Sequence, residues 1–180
     1  VDAVVKQLDD IEIRQKQLLG CSSEAAVTPT GCDVTVRFQA QVLRTFAPVQ
    51  VYAQTLLAVK LIKADPRVVG LNFVAPEDHR IALRDYRQHM RFVAELSAAF
   101  PSRPAGIALH SGEMTMVLVP PEDLGWHIRD AVATAGATRI GHGIDIAYDD
   151  DMDGLLKTMA KQDVMVEINL TSNDVILGIT

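Results

Sequence analysis

Apolar positions along the chain switch repeatedly between a helical period and short continuous runs. Val4, Leu8, Ile11 and Leu18 recur at helical spacing and predict a first helix that stops near Gly20. Residues 22–31, rich in Thr, Pro and Gly, read as loop, and Val34, Val36 and Phe38 alternate with polar neighbours as a strand does. A stripe of Val51, Thr55, Ala58 and Ile62 predicts a helix over 48–64. Asp65-Pro66 ends it, because proline disfavours the helical conformation of the residue before it. The run 68–74 has strand length, and Pro76-Glu77-Asp78 suits the first turn of a helix reaching about Phe100 that buries Leu83, Tyr86, Met90, Val93 and Leu96. Beyond it come a strand at 105–110 and a helix from Pro121 through Leu124, Ile128 and Val132 to Gly136. A strand at 138–141, a helix capped by 149–151 that carries Leu155, Leu156 and Met159, and a strand at 164–168 complete the pattern.

Continuous apolar strands separated by amphipathic helices indicate a parallel sheet covered by helices. Two architectures compete, a doubly wound open sheet and a (β/α)8 barrel. Barrels carry their functional residues at the C-terminal ends of strands. Polar clusters recur there: Asn72 and Glu77, then His110 to Glu113, then His142, then Thr171-Ser172-Asn173. No glycine-rich dinucleotide fingerprint follows the first strand and no phosphate-binding loop occurs, so the barrel is favoured.

With 180 residues the chain has room for one domain. Its residues are 48% hydrophobic and 22% charged, which excludes disorder and fibrous architectures. A net charge of -6 offers no footprint for nucleic acid or anionic lipid, and the apolar runs are too short to span a membrane. The opening at Val1, with neither an initiator Met nor a signal-peptide pattern, reads as a mature, processed or cut chain. Cys21 and Cys32 are too few for a disulfide scaffold; they either close a small loop or remain free thiols.

Two segments carry candidate chemistry. In Leu109-His110-Ser111-Gly112-Glu113 a strand end holds an imidazole suited to zinc, a carboxylate follows three residues later to shuttle protons, and Gly112 lets the backbone approach a ligand. In Arg139-Ile140-Gly141-His142-Gly143 two glycines leave the imidazole accessible. Either histidine alone is compatible with a structural role, and the pair, one β-α unit apart, favours a shared pocket. His79 and His89 are expected on the exposed side of an arginine-rich helix, and His127 is expected in packing or solvent. The run 149–151 is explained by a helix N-terminus rather than by calcium.

These two segments, followed by Glu167-Ile168-Asn169-Leu170-Thr171-Ser172-Asn173 and preceded by residues 68–78, resemble the adenosine deaminase family of the amidohydrolase superfamily. The likeness runs from about Val34 onward and looks closest to bacterial members allied to the secreted, growth-factor-like deaminases. It implies a (β/α)8 barrel with one zinc ion, hydrolysing the 6-amino group of adenosine to give inosine and ammonia. His110 matches the family's zinc-binding histidine, Glu113 the glutamate that protonates purine N1, and His142 the histidine that orients and helps deprotonate the attacking water. Ser111 stands where the family has alanine. Ala75 stands at the position of a glycine whose backbone contacts the purine, which makes Ala75 and Gly112 the expected substrate contacts.

The family's His-x-His pair on the first strand and its Asp-Asp pair on the last have no counterpart, so one of four protein zinc ligands is present. A complete barrel needs about 250 residues. The chain is therefore expected to be an interior fragment of about five β-α units lacking the first and last strands, with 1–33 as helix and loop and 34–180 as one incomplete barrel domain. The fragment alone is expected to be inactive and to hold zinc weakly. Its partners would be a purine nucleoside and, for assembly, the missing barrel segments or a second copy. Resemblance to secreted relatives implies a periplasmic or extracellular location, with the cytoplasm as the alternative, and a Cys21–Cys32 disulfide if exported. Adenine or a modified adenosine is the alternative substrate. The alternative function is a non-catalytic, growth-factor-like binding module.

Overall fold

The computed structural model describes residues 1–21, 29–100 and 106–179. Helix α1 (Asp2–Leu18) precedes strand β1 (Phe38–Leu43), helix α2 (Pro48–Ala64), strand β2 (Val68–Val74) and helix α3 (Arg80–Ala99). Then follow β3 (Gly106–Ser111), α4 (His127–Ala133), β4 (Arg139–His142), α5 (Met152–Lys161), β5 (Met165–Glu167) and α6 (Leu170–Leu177). Short 3-10 turns occupy Pro121–Asp123 and Ile144–Tyr148. The five strands form one parallel sheet in the order β1-β2-β3-β4-β5. Each strand lies beside its predecessor, with none of the order reversal of a doubly wound sheet. The architecture is that of a partial (β/α)8 barrel, as the alternating pattern predicts.

The core lies between the sheet and the helices. Val42, Leu71, Phe73, Leu109 and Ile140 from the strands meet Val51, Ile62, Tyr86, Met90, Val93, Val132 and Leu155 from the helices, all buried. Each such side chain contributes about 1.5–3 kcal/mol by leaving water. Helix α1 is different, since Leu8 is its one buried residue among those described. It is tied down by Arg67, whose guanidinium reaches Asp9 at 2.7 Å and Glu12 at 2.9 Å, and by a Cys21–Cys32 disulfide just beyond its end. Among the described residues no helix is long and apolar enough to cross a membrane.

Four expectations change. Val34 and Val36 lie outside β1, because pairing starts only where the Phe38 N–H meets the Arg67 carbonyl. Helix α3 begins at Arg80 rather than at Pro76: Ala75 turns the chain at φ 83° and Glu77 points inward, and the His79 ring then caps the helix by accepting the Ile81 N–H. Pro121 opens only a 3-10 turn, and α4 starts at His127, after Trp126 leaves helical geometry and packs edge-on against Tyr86. His89 is not exposed; it faces the core beside Phe73, on the buried stripe of α3. The loop expected at 22–31 is described only from residue 29, and Ala105, expected to open β3, lies outside the described residues.

Candidate functional site

The parallel register brings the chemistry-bearing residues together. β3 pairs with β4 so that His110 faces Gly141 and Ser111 faces His142, while β2 sets Asn72 beside Ala108. The strand ends therefore open on one side of the sheet. The His110 Nδ1–H donates to Asn72 Oδ1 at 3.1 Å, which leaves Nε2 with its lone pair. Burial, reinforced by the nearby Arg44 and His142, pushes the His110 pKa down to about 4, so the imidazole is neutral near physiological pH. Its ring lies 5.2 Å from that of His142, centroid to centroid.

Gly112 turns the chain directly after β3. Its φ is 82°, and a Cβ there would sit 2.5 Å from Asp145 Oδ1 and 2.8 Å from Ile128 Cδ1, so both conformation and space require glycine. The turn delivers Glu113. Its Oε1 accepts from Ser172 Oγ at 3.1 Å and lies 3.5 Å from His142 Nδ1. His142 ends β4 with φ 75°, a costly conformation for a side chain with a Cβ, and its Nδ1–H donates to Asn173 Oδ1 at 2.9 Å. Ser172 and Asn173 belong to the first turns of α6, so that helix positions both the carboxylate and the second imidazole.

Beneath these residues lies a second polar layer. Glu77, wholly buried, accepts the Glu113 backbone N–H at 3.0 Å through Oε2 and the His127 Nδ1–H at 2.7 Å through Oε1. Burial alone would raise the Glu77 pKa, but the His127 hydrogen bond and the Arg44 charge outweigh it and hold the carboxyl below its ordinary range. Asp145 is the contrast: burial and the Glu77 charge push its pKa up to about 8, and neither carboxyl oxygen has a partner among the described residues.

A cavity of about 630 Å³ opens over this arrangement. Ala75, Glu77 and Asp78 border it from the β2 end, His110 and Glu113 from β3, His142 from β4, and Asn169, Ser172 and Ile176 from the final helix region. Its size is that of an ordinary small-molecule site. Of the residues singled out in the sequence, His110, Glu113, His142 and Ala75 meet here, and Gly112 shapes the turn between two of them. As a metal centre the arrangement is incomplete, for among the described residues no group of three His, Cys, Asp or Glu is placed to hold an ion. His110, with Nε2 unengaged by Asn72, fits one ligand position of such a centre.

The sequence puts Asn72, Ser172 and Asn173 in strand-end polar clusters without indicating that they bond His110, Glu113 and His142, and His127, expected in packing or solvent, is a buried partner of Glu77. The signal for His127 was weak because it partners Glu77, fifty residues away. The chain matches the family model described as adenosine deaminase over residues 14–179. No curated protein matches it.

Proposed function

The chain belongs to the adenosine deaminase family, and on that premise we propose that its strand-end cavity serves the hydrolytic deamination of adenosine or a related 6-aminopurine. The single observation that carries this reading is the meeting of Glu113 and His142, a carboxyl and an imidazole 3.5 Å apart, beside the neutral His110 in one cavity. In the proposed reaction, water adds its oxygen to C6, the C6–N bond breaks, and ammonia leaves with a 6-oxopurine as the other product. His142, with Nδ1 engaged by Asn173, offers Nε2 to take the proton from water. Glu113, with Oε1 held by Ser172, offers its other oxygen to protonate ring N1, which draws charge from C6 as it is attacked. Ala75, and the backbone beside Gly112, border the purine.

Zinc is the proposed cofactor, with His110 as one ligand; catalytic zinc sites use three protein ligands and make hydroxide available near neutral pH. The residues described here do not complete such a set. A Cys21–Cys32 bond is of the kind that persists in oxidising compartments, which supports a proposed location outside the cytoplasm. A purely non-catalytic module would not need a proton donor and acceptor sharing one cavity.

The test is turnover of adenosine by zinc-supplemented protein to which barrel segments supplying the remaining zinc ligands have been added, since His110 alone does not complete the set. Glu113→Gln is expected to lower kcat at least about 10²-fold with zinc content unchanged. His142→Ala should likewise lose activity and keep zinc, whereas His110→Ala should lose both. Near-normal turnover by Glu113→Gln would remove the carboxyl from the mechanism and overturn the reading.

A further inference from the structure

Glu77 and His127 form a hydrogen-bonded couple with no exposure to solvent, 2.7 Å apart. A fully buried carboxylate is expensive unless every lone pair is used, so its partners say what it is for. One is His127, which is locked from three sides. Its ring stacks on Tyr86 with centroids 3.9 Å apart, Trp126 meets it edge-on at 4.1 Å, and its carbonyl accepts the Tyr86 hydroxyl at 3.1 Å. The other is the backbone N–H of Glu113. A carboxylate fixed by α4 and α3 therefore grips the main chain at the residue that carries the proton donor, one step after the glycine turn.

We infer that the buried Glu77–His127 couple is the positioning device for Glu113, anchoring its backbone so that the carboxyl meets the substrate in one orientation. The inference rests on the function proposed above for Glu113. Neither Glu77 nor His127 has to touch the reacting atoms. A charged acceptor makes a hydrogen bond roughly twice as strong as a neutral one, and this bond fixes the Glu113 main chain while Ser172 holds the Glu113 carboxyl at the other end of the side chain. The Gly112 carbonyl is held separately, by the Ile144 N–H at 2.9 Å and the Asp145 N–H at 3.2 Å, so the Glu77 bond fixes the peptide that follows it.

Two measurements test it. The first is hydrogen exchange at the Glu113 amide, which does not depend on catalysis. Protection should fall at least about tenfold in Glu77→Ala relative to the neighbouring β3 amides. Glu77→Gln, near-isosteric and with one acceptor oxygen, should fold and show a smaller loss together with an upfield shift of the amide proton. The second is steady-state turnover by the zinc-supplemented, complemented protein of the preceding test, where both variants and His127→Ala should lose kcat, by about 10²-fold for Glu77→Ala, with KM within about threefold of the parent. The double variant Glu77→Ala/His127→Ala should be no worse than Glu77→Ala, since the two act as one unit. Unchanged Glu113 amide protection in Glu77→Ala and Glu77→Gln would overturn the inference, as would unchanged kcat in both. If the parent deaminates no 6-aminopurine while the Glu113 amide responds as expected, the proposed reaction fails and the anchoring of Glu113 stands.

Discussion

His89 illustrates how a single ionisable side chain couples burial to pH. Its ring is 0% exposed and neither nitrogen finds a partner among the described residues. Burial pushes its pKa down to about 4 against an ordinary value of 6.5, overriding the pull of Asp85. The unfolded chain therefore binds a proton that the folded chain resists between those two values. The stability contribution of the neutral ring is complete above about 6.5 and is lost as pH falls towards 4. It amounts to up to about 3 kcal/mol. Denaturant midpoints at pH 7 and pH 4.5 should separate by less in His89→Leu than in the parent. Asp145 has the opposite sign. With its pKa raised to about 8, its contribution is present below the ordinary carboxyl range and disappears as pH rises through 8. Asp145→Asn should thus raise the melting temperature at pH 8.5 and change it little at pH 4.

At the scale of elements, helix α1 is the one held by clips rather than by a buried face. Arg67 bonds Asp9, Glu12 and Asp65 at once, and the disulfide closes the chain over a separation of eleven residues. Replacing Cys21 and Cys32 by serine should cost up to about 3 kcal/mol if chain entropy dominates, measured by urea titration under non-reducing conditions. In the same variant, amide exchange should accelerate along α1 first and leave β2 and β3 protected, because few apolar contacts remain to hold that helix. Exchange that rises equally in α1 and the sheet would show instead that α1 unfolds only with the whole domain.

For the molecule as a whole, the decisive feature is a parallel sheet with two free sides. Among the described residues β1 and β5 each have one strand neighbour. The β5 side is strongly apolar: Ile168 is 67%, Leu170 76% and Val175 77% exposed. An unpaired strand edge beside exposed aliphatic residues is a site for association. The purified 180-residue chain is expected to self-associate with rising concentration in sedimentation velocity. Val175→Lys with Ile168→Lys should shift it towards monomer while leaving the far-ultraviolet circular dichroism unchanged. The cavity lies on this same side of the molecule, bordered by Asn169, Ser172 and Ile176, so association there should also change access to it.

The periodicity of apolar residues by itself determined the alternation of strand and helix, because each element must bury one continuous face, and α2 and β2 fall where that pattern puts them. The motifs around His110, Glu113 and His142 were legible for the same local reason: a strand end, a glycine and a titratable side chain lie within five residues. Other features are decided only when distant segments meet. His89 and the arginines of α3 share a polar-looking sequence, and only the docking of the helix on the sheet puts the histidine inside. Asn72 is 38 residues from His110 and Ser172 is 59 from Glu113, yet each hydrogen-bonds it. The Glu77–His127 couple spans 50 residues. No periodicity encodes such pairs, because a buried polar group takes its partner from whatever element packs against it, and that choice belongs to the tertiary structure.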